Sequence, residues 1–120
     1  MAGEKALKKE QFENRILGEL NMILRTRFNN PRLQLLSFTK VEVSSDLSVA
    51  TVYWDCFDET TRGDAKKAVE TIVGKLRSHL AQALKVRSVP LLRVKYDGQY
   101  DAEKEIDQIL KAEEKLGKGF

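Results

Sequence analysis

The spacing of apolar residues switches repeatedly between a helical and a strand period, and this pattern constrains the fold more than any other feature. In residues 7–28 apolar side chains recur every three or four positions, which predicts a helix with one face to bury. Residues 36–43 and 49–57 instead alternate apolar and polar side chains, which is typical of strands. The five turn-forming residues between them favour an antiparallel hairpin. Phe38 and Val41 have opposite parity, which indicates either a bulge or a late strand start.

The second half of the chain repeats the alternation of helix and strand. Residues 65–84 contain one apolar helical stripe that passes through Gly74 in phase, so one long helix and two joined helices both fit. Residues 92–96 alternate again and predict a third strand. A final charged helix is expected after Asp101. We therefore predict an α+β domain at residues 1–97, with a three-stranded sheet covered by helices on one face, followed by a charged C-terminal helix and tail at 98–120.

Composition limits the class of protein. A chain of 120 residues with 32% charged side chains is about one domain with a heavily charged surface. No apolar run approaches the roughly 18 residues of a membrane span, so we expect no membrane partner. One cysteine, Cys56, cannot form an internal disulfide, which fits a reducing compartment and a cytoplasmic location.

Residues that could perform catalysis are few and isolated. His79 is the only histidine, and it lies off the main apolar stripe of its helix, so a surface or partly buried role is expected. Cys56 shares the apolar face of its strand and is expected in the core. Asp55, Asp58 and Glu59 cluster before the next helix, where capping is the simpler role and metal binding the alternative. We predict no enzyme activity, no cofactor, no metal and no small-molecule substrate.

Positive charge is concentrated in residues 66–95, which hold eight basic residues and one acid, Glu70. A segment of this kind attracts polyanions, and nucleic acid is the first partner to consider. A helix break at Gly74 would also free backbone N–H groups that bind phosphate. The predicted RNA-binding residues are Lys75, Arg77, Lys85, Arg87, Arg93 and Lys95. Arg32 is added to them as a seventh candidate.

Several short motifs, in order, resemble the ribosome-binding factor A family. Asn30-Pro31-Arg32-Leu33 is similar to the Asp-Pro-Arg-Leu that follows the first helix in that family. The other matching pieces are residues 41–47, 50–53, 74 with 76–78, 87–90 and 96–97. The set is specific although each piece alone is not.

This resemblance implies a KH-type (type II-like) domain in which a kink replaces the Gly-x-x-Gly loop between the two central helices. The kink would be Ile72, Val73 and Gly74, and Ile72 departs from the small residue of the family pattern. The resemblance further implies a monomeric bacterial assembly factor that binds the free 30S subunit. It would assist late maturation and processing of 16S rRNA near its 5′ terminal helix. A second hypothesis is a protein-interaction domain that uses the open sheet face and the acidic C-terminal helix.

Overall fold

The computed structural model describes residues 2–86 and 88–97, with side chains from Leu7 onward. The expected C-terminal helix and tail, residues 98–120, lie outside the described residues. Within the described ranges, no helix is both long enough and apolar enough to cross a membrane. The elements in chain order are α1 (Ala2–Thr26), α2 (Pro31–Gln34), β1 (Leu36–Val43), β2 (Val49–Cys56), a 3₁₀ turn (Glu59–Thr61), α3 (Arg62–Leu84) and β3 (Leu91–Tyr96).

The three strands form one sheet in the order β1-β2-β3. β1 and β2 pair antiparallel as the predicted hairpin, with Val43 opposite Ala50 and Leu36 opposite Cys56. The register shifts between Phe38 and Lys40, so the change of parity in the sequence marks a bulge. β3 pairs parallel to β2, because the chain returns to the same end of the sheet through α3. β1 and β3 are therefore the two edge strands of the described sheet.

The helices cover one face of the sheet, as predicted for an α+β domain of this size. Alternate residues of β2, from Ala50 to Cys56, are buried, and Trp54 is the largest fully buried side chain. α1 contributes Ile16, Leu20 and Leu24 to the core. α3 adds six side chains at spacings of three or four: Ala65, Val69, Ile72, Leu76, Leu80 and Leu84. The opposite face of the sheet carries polar and charged side chains and is not covered by either long helix.

Side chains of α1 bind the main chain of β1 at several points along its length. Asn21 accepts from the Phe38 N–H at 2.9 Å and donates to the Phe38 carbonyl at 3.0 Å. Glu13 accepts from the Val43 N–H at 2.7 Å, and Arg25 donates to the Leu36 carbonyl at 2.6 Å. An edge strand with unpaired main-chain groups is prone to pair with another chain. α1 therefore both fills the core and satisfies one edge of the sheet.

α3 is a single helix of 23 residues, and it runs without interruption through Ile72, Val73 and Gly74. Of the two arrangements that fit the sequence, the structure has the single long helix, so no main-chain N–H groups are freed for phosphate at Gly74. Glycine in a helix interior costs about 1 kcal/mol relative to alanine. Ile72 and Leu76, buried on either side of Gly74, keep the apolar stripe in phase, and their burial outweighs this cost.

Residues 31–34, for which the sequence predicts no helix or strand, form the short helix α2. Asn30 is its N-cap, and its side-chain oxygen accepts from the Arg32 N–H at 3.0 Å. Pro31 follows at the first helical position, where its fixed φ suits a helix and its missing N–H removes no bond. Leu33 is fully buried and secures this turn to the core.

Candidate nucleic-acid interface

Two cavities follow one another along the side of α3 that faces residues 86–96, and both are lined by basic side chains. We call this surface the α3–β3 groove. One part, of about 450 Å³, is lined by Trp54, Arg62, Lys66, Glu70, Val94, Lys95 and Tyr96. The next part, of about 360 Å³, is lined by Gly74, Arg77, Ser78, Ala81, Val86, Ser88 and Val89. Because α3 presents every third or fourth residue to one side, Arg62, Lys66, Glu70, Gly74 and Arg77 follow one another along it.

Arg77 holds two elements of the groove together. Its guanidinium donates to the carbonyl oxygens of Val89 at 2.9 Å and Pro90 at 3.2 Å. These bonds fasten α3 to the segment that leads into β3. The guanidinium therefore has a structural role, and it also brings a positive charge into the groove.

The other charges of the groove come from both elements. Lys66 is exposed on α3 and Lys95 is exposed on β3, and both line the same cavity. The guanidinium carbon of Arg62 lies 4.3 Å from the centre of the Tyr96 ring, a cation–π arrangement. Three cations thus stand against one acid, Glu70, in this part of the groove, which gives it a positive potential.

Gly74 leaves a flat area in the middle of the groove. A Cβ placed on Gly74 would meet no atom within 4 Å, so the fold itself does not require glycine there. Ser78 donates to the Gly74 carbonyl at 3.2 Å, within the helix. A bulky partner can therefore approach the backbone of α3 at this position more closely than elsewhere on the same side.

The structure brings only part of the predicted RNA-binding set to this groove. Arg77 and Lys95 line it, and Lys85 lies at the end of α3 in a left-handed conformation with φ 53°. Lys75 lies about 200° around the helix from Arg77, on the side away from β3. Arg93 is exposed on the open sheet face.

Arg32 and Arg87 complete the predicted set. Arg32 is exposed on α2 and is not among the described residues that line the groove. Arg87 lies outside the described residues. The RNA-binding assignment of all seven side chains stays a prediction.

Sequence reasoning missed a row of side chains across the open sheet face. Lys40, Tyr53 and Lys95 are neighbours in register, and each lysine nitrogen lies 6.0 Å from the centre of the Tyr53 ring. Lys40 also pairs with Glu42 at 2.8 Å, and the Tyr53 hydroxyl donates to Glu42 at 3.1 Å. These bonds lower the pKa of Glu42, with Lys40 the larger cause, and raise the pKa of Lys40. The alternation of the strands could have indicated this row, since Tyr53 and Lys95 each occupy a position that alternates with the apolar residues of their strand.

The isolated catalytic candidates have the structural roles that their positions indicated. Cys56 is buried, with its sulfur 3.1 Å from Thr61 Oγ1. His79 is half-buried and packs edge to face against Phe28, with ring centres 5.8 Å apart. Asp58 caps the 3₁₀ turn by accepting from the Thr60 N–H at 3.0 Å, and the bonds from Thr60 lower its pKa. Among the described residues, no group of histidine, cysteine and acidic side chains could hold a metal ion.

Comparison with known proteins gives the same family as the short motifs. The model of the family described as ribosome-binding factor A matches residues 8–110. The chain belongs to the ribosome-binding factor A family. A ribosome-binding factor A of Francisella philomiragia is 37% identical over 101 residues, which cover 81% of this chain and 71% of the relative. One from Lactobacillus delbrueckii is 36% identical over 105 residues, covering 86% and 88%.

Solved structures of the family share this fold, which is KH-like as predicted. The crystal structure of ribosome-binding factor A from Thermus thermophilus superposes with a TM-score of 0.64 at 28% identity, over 73% of this chain and 93% of that one. A homology model of the Thermus protein, fitted into the cryo-EM map of a 30S complex, gives the same TM-score and identity, covering 75% and 96%. The solution structure of a Thermotoga maritima protein described as a putative ribosome-binding factor A gives 0.64 at 26% identity, covering 75% and 87%.

Proposed function

We propose that this chain is a bacterial ribosome assembly factor that binds the free 30S subunit in the cytoplasm. It assists late maturation of the subunit, including processing of 16S rRNA near its 5′ terminal helix, and performs no bond chemistry itself. The observation that supports this most is membership of the family together with the Thermus relative fitted into a 30S complex. We further propose that the chain acts as a monomer and that residues 1–97 form the RNA-binding unit.

The α3–β3 groove is the proposed RNA contact. Lys66 and Arg77 place cations along α3, and Lys95 adds one from β3 at the rim that the groove shares with the open sheet face. Gly74 leaves room for a phosphate backbone along α3. A rigid domain that binds one conformation of the RNA more tightly than another shifts the population towards the first. Maturation can be promoted in this way without catalysis, because the bound conformation becomes the substrate for processing enzymes.

Salt-dependent binding tests the groove. The double variant Lys66→Ala with Lys95→Ala should weaken 30S binding at least tenfold in sedimentation assays. It should also reduce the slope of log affinity against log salt by about 1.5, since each lost phosphate contact removes about 0.7–0.9. The matched control is Lys8→Ala with Arg15→Ala, which removes the same charge from exposed positions on α1. Equal loss in both variants would mean that only net charge matters and would contradict the groove.

Footprinting tests the function itself. Chemical probing of 16S rRNA in free 30S subunits, with and without the chain, should show protection in one region that includes or adjoins the 5′ terminal helix. Cells lacking the chain should accumulate 16S rRNA with an unprocessed 5′ end, measured by primer extension. Unchanged reactivity over the whole RNA together with normal 5′ ends would refute the proposed function.

A further inference from the structure

Phe57 is an exposed aromatic side chain directly after β2, next in sequence to the buried Cys56. It is 91% exposed, whereas the next most exposed large hydrophobic residue among those described, Leu91, is 58% exposed. Its N–H donates to the carbonyl of Leu35 at 3.4 Å, and Leu35 is itself 46% exposed. We call these two exposed side chains, which lie where β1 begins and β2 ends, the apolar knob. Full burial of such a phenyl group is worth about 1.5–3 kcal/mol, which this fold leaves unused.

Acidic side chains surround the knob in sequence. Asp55 precedes Phe57 by two positions, and Asp58 and Glu59 follow it, with no basic residue between 55 and 59. Main-chain groups fix two of these carboxylates: Asp55 accepts from the Cys56 N–H at 2.7 Å and Asp58 from the Thr60 N–H at 3.0 Å. We call Asp55, Asp58 and Glu59 the acidic collar of the knob. They outnumber the cation that the structure places beside Leu35, Arg25, whose guanidinium donates to the Leu36 carbonyl at 2.6 Å.

The negative charge of the collar distinguishes between the partners that could bind the knob. RNA is disfavoured, because its phosphates would approach three carboxylates. A second copy of the chain, knob against knob, would bring two acidic collars together. Residues 98–120 follow Asp97, which binds the Trp54 carbonyl near the same end of β2, but they contain six acidic and four basic residues. A basic polypeptide with an apolar socket complements both the knob and the collar.

We propose that Phe57 is the anchor by which this chain docks on a basic protein component of the small subunit, separately from the RNA contact in the α3–β3 groove. The inference rests on the proposed function, since it assumes that the subunit is the partner. A single exposed aromatic inserted in a pocket is a common source of binding energy at protein interfaces. A protein contact at the knob and an RNA contact in the groove would together fix the orientation of the domain on the particle.

Affinity measurements distinguish this anchor from a phosphate contact. Phe57→Ser should weaken 30S binding about tenfold while leaving the salt slope unchanged, because no cation is lost. The control is Leu47→Asn, at an exposed apolar residue in the turn at the opposite end of the hairpin; Leu47 is 51% exposed. Asparagine tolerates the φ of 62° that Leu47 adopts. This control should bind within twofold of wild type. Wild-type affinity for Phe57→Ser would overturn the proposal.

Crosslinking identifies what the knob touches. The photoreactive residue p-benzoylphenylalanine in place of Phe57, bound to 30S subunits and irradiated, should form an adduct with a basic ribosomal protein, identified by mass spectrometry. An adduct with 16S rRNA, a link within the chain to residues 98–120, a dimer of the chain, or no adduct would each overturn the proposal. Failure of the wild-type chain to bind subunits at all would refute the proposed function instead.

Discussion

The guanidinium of Arg77 donates to the carbonyl oxygen of Val89 at 2.9 Å, and this bond joins the middle of α3 to the segment that enters β3. The same side chain also reaches the Pro90 carbonyl. Arg77 was predicted from its charge to contact RNA, yet its position is set by the fold. Reversing its charge would alter the groove and the packing together, so the groove is better tested through Lys66 and Lys95.

Arg77→Ala should lower the free energy of unfolding by about 1–2 kcal/mol, measured by urea denaturation. Two hydrogen bonds from a charged donor are lost, and two carbonyl groups lose their protein partner. Lys75→Ala, two residues away and exposed on the other side of α3, should change stability by less than about 0.5 kcal/mol. Equal stability of the two variants would show that the Arg77 bonds do not secure β3.

The turn between β1 and β2 should lose stability in acid. Hydrogen bonds from Ser48 and Ser44 hold the pKa of Asp46 at about 2, below its ordinary value of 3.8. A carboxyl whose pKa is lowered by folding stabilises the folded state at pH values above its ordinary pKa. This contribution disappears as the pH falls from about 4 to about 2. An NMR titration of the Asp46 carboxyl should therefore have its midpoint near pH 2, and Asp46→Asn should remove this part of the acid dependence. A midpoint near 3.8 would contradict the hydrogen-bonded turn.

Lys85→Gly should separate stability from binding. Lys85 ends α3 with φ 53° and ψ 36°, a left-handed conformation that favours glycine. The substitution should raise the free energy of unfolding by about 0.5–1 kcal/mol and at the same time weaken 30S binding, because a cation beside the groove is lost. Leu47→Gly, at φ 62° in the hairpin turn, is the control and should give a similar stability gain without the loss of affinity. A Lys85→Gly chain that is more stable and binds normally would remove Lys85 from the RNA-binding set.

Periodicity predicted the elements well, because burial of one face fixes which residues of a strand or helix must be apolar. The hairpin, the bulge after Phe38 and the stripe of α3 all follow from this rule. α2 was missed because four residues are too short to show a period. Asn30 before Pro31 was the available signal, since together they form an N-cap and a first helical position.

The candidate site was less predictable because it depends on how elements are placed in space. Lys75 and Arg77 are close in sequence but lie on different sides of α3. Arg93 and Lys95 share one face of β3, yet only Lys95 is among the described residues that line the groove. The sequence left one long helix and two joined helices open around Gly74. One helix spans it, because local glycine propensity is weaker than the burial of six side chains along one side. A kink at Ile72, Val73 and Gly74 within that helix stays a prediction.

The paired substitutions Gly74→Ala and Gly18→Ala test most directly the claim that RNA lies against the α3–β3 groove. Both glycines are exposed in helix interiors with open space for a Cβ, so each substitution should raise the free energy of unfolding by about 1 kcal/mol. If a phosphate backbone approaches α3 at Gly74, the added methyl group should weaken 30S binding at least fivefold, while Gly18→Ala on α1 binds as wild type. Equal, wild-type affinity of both variants would contradict the account.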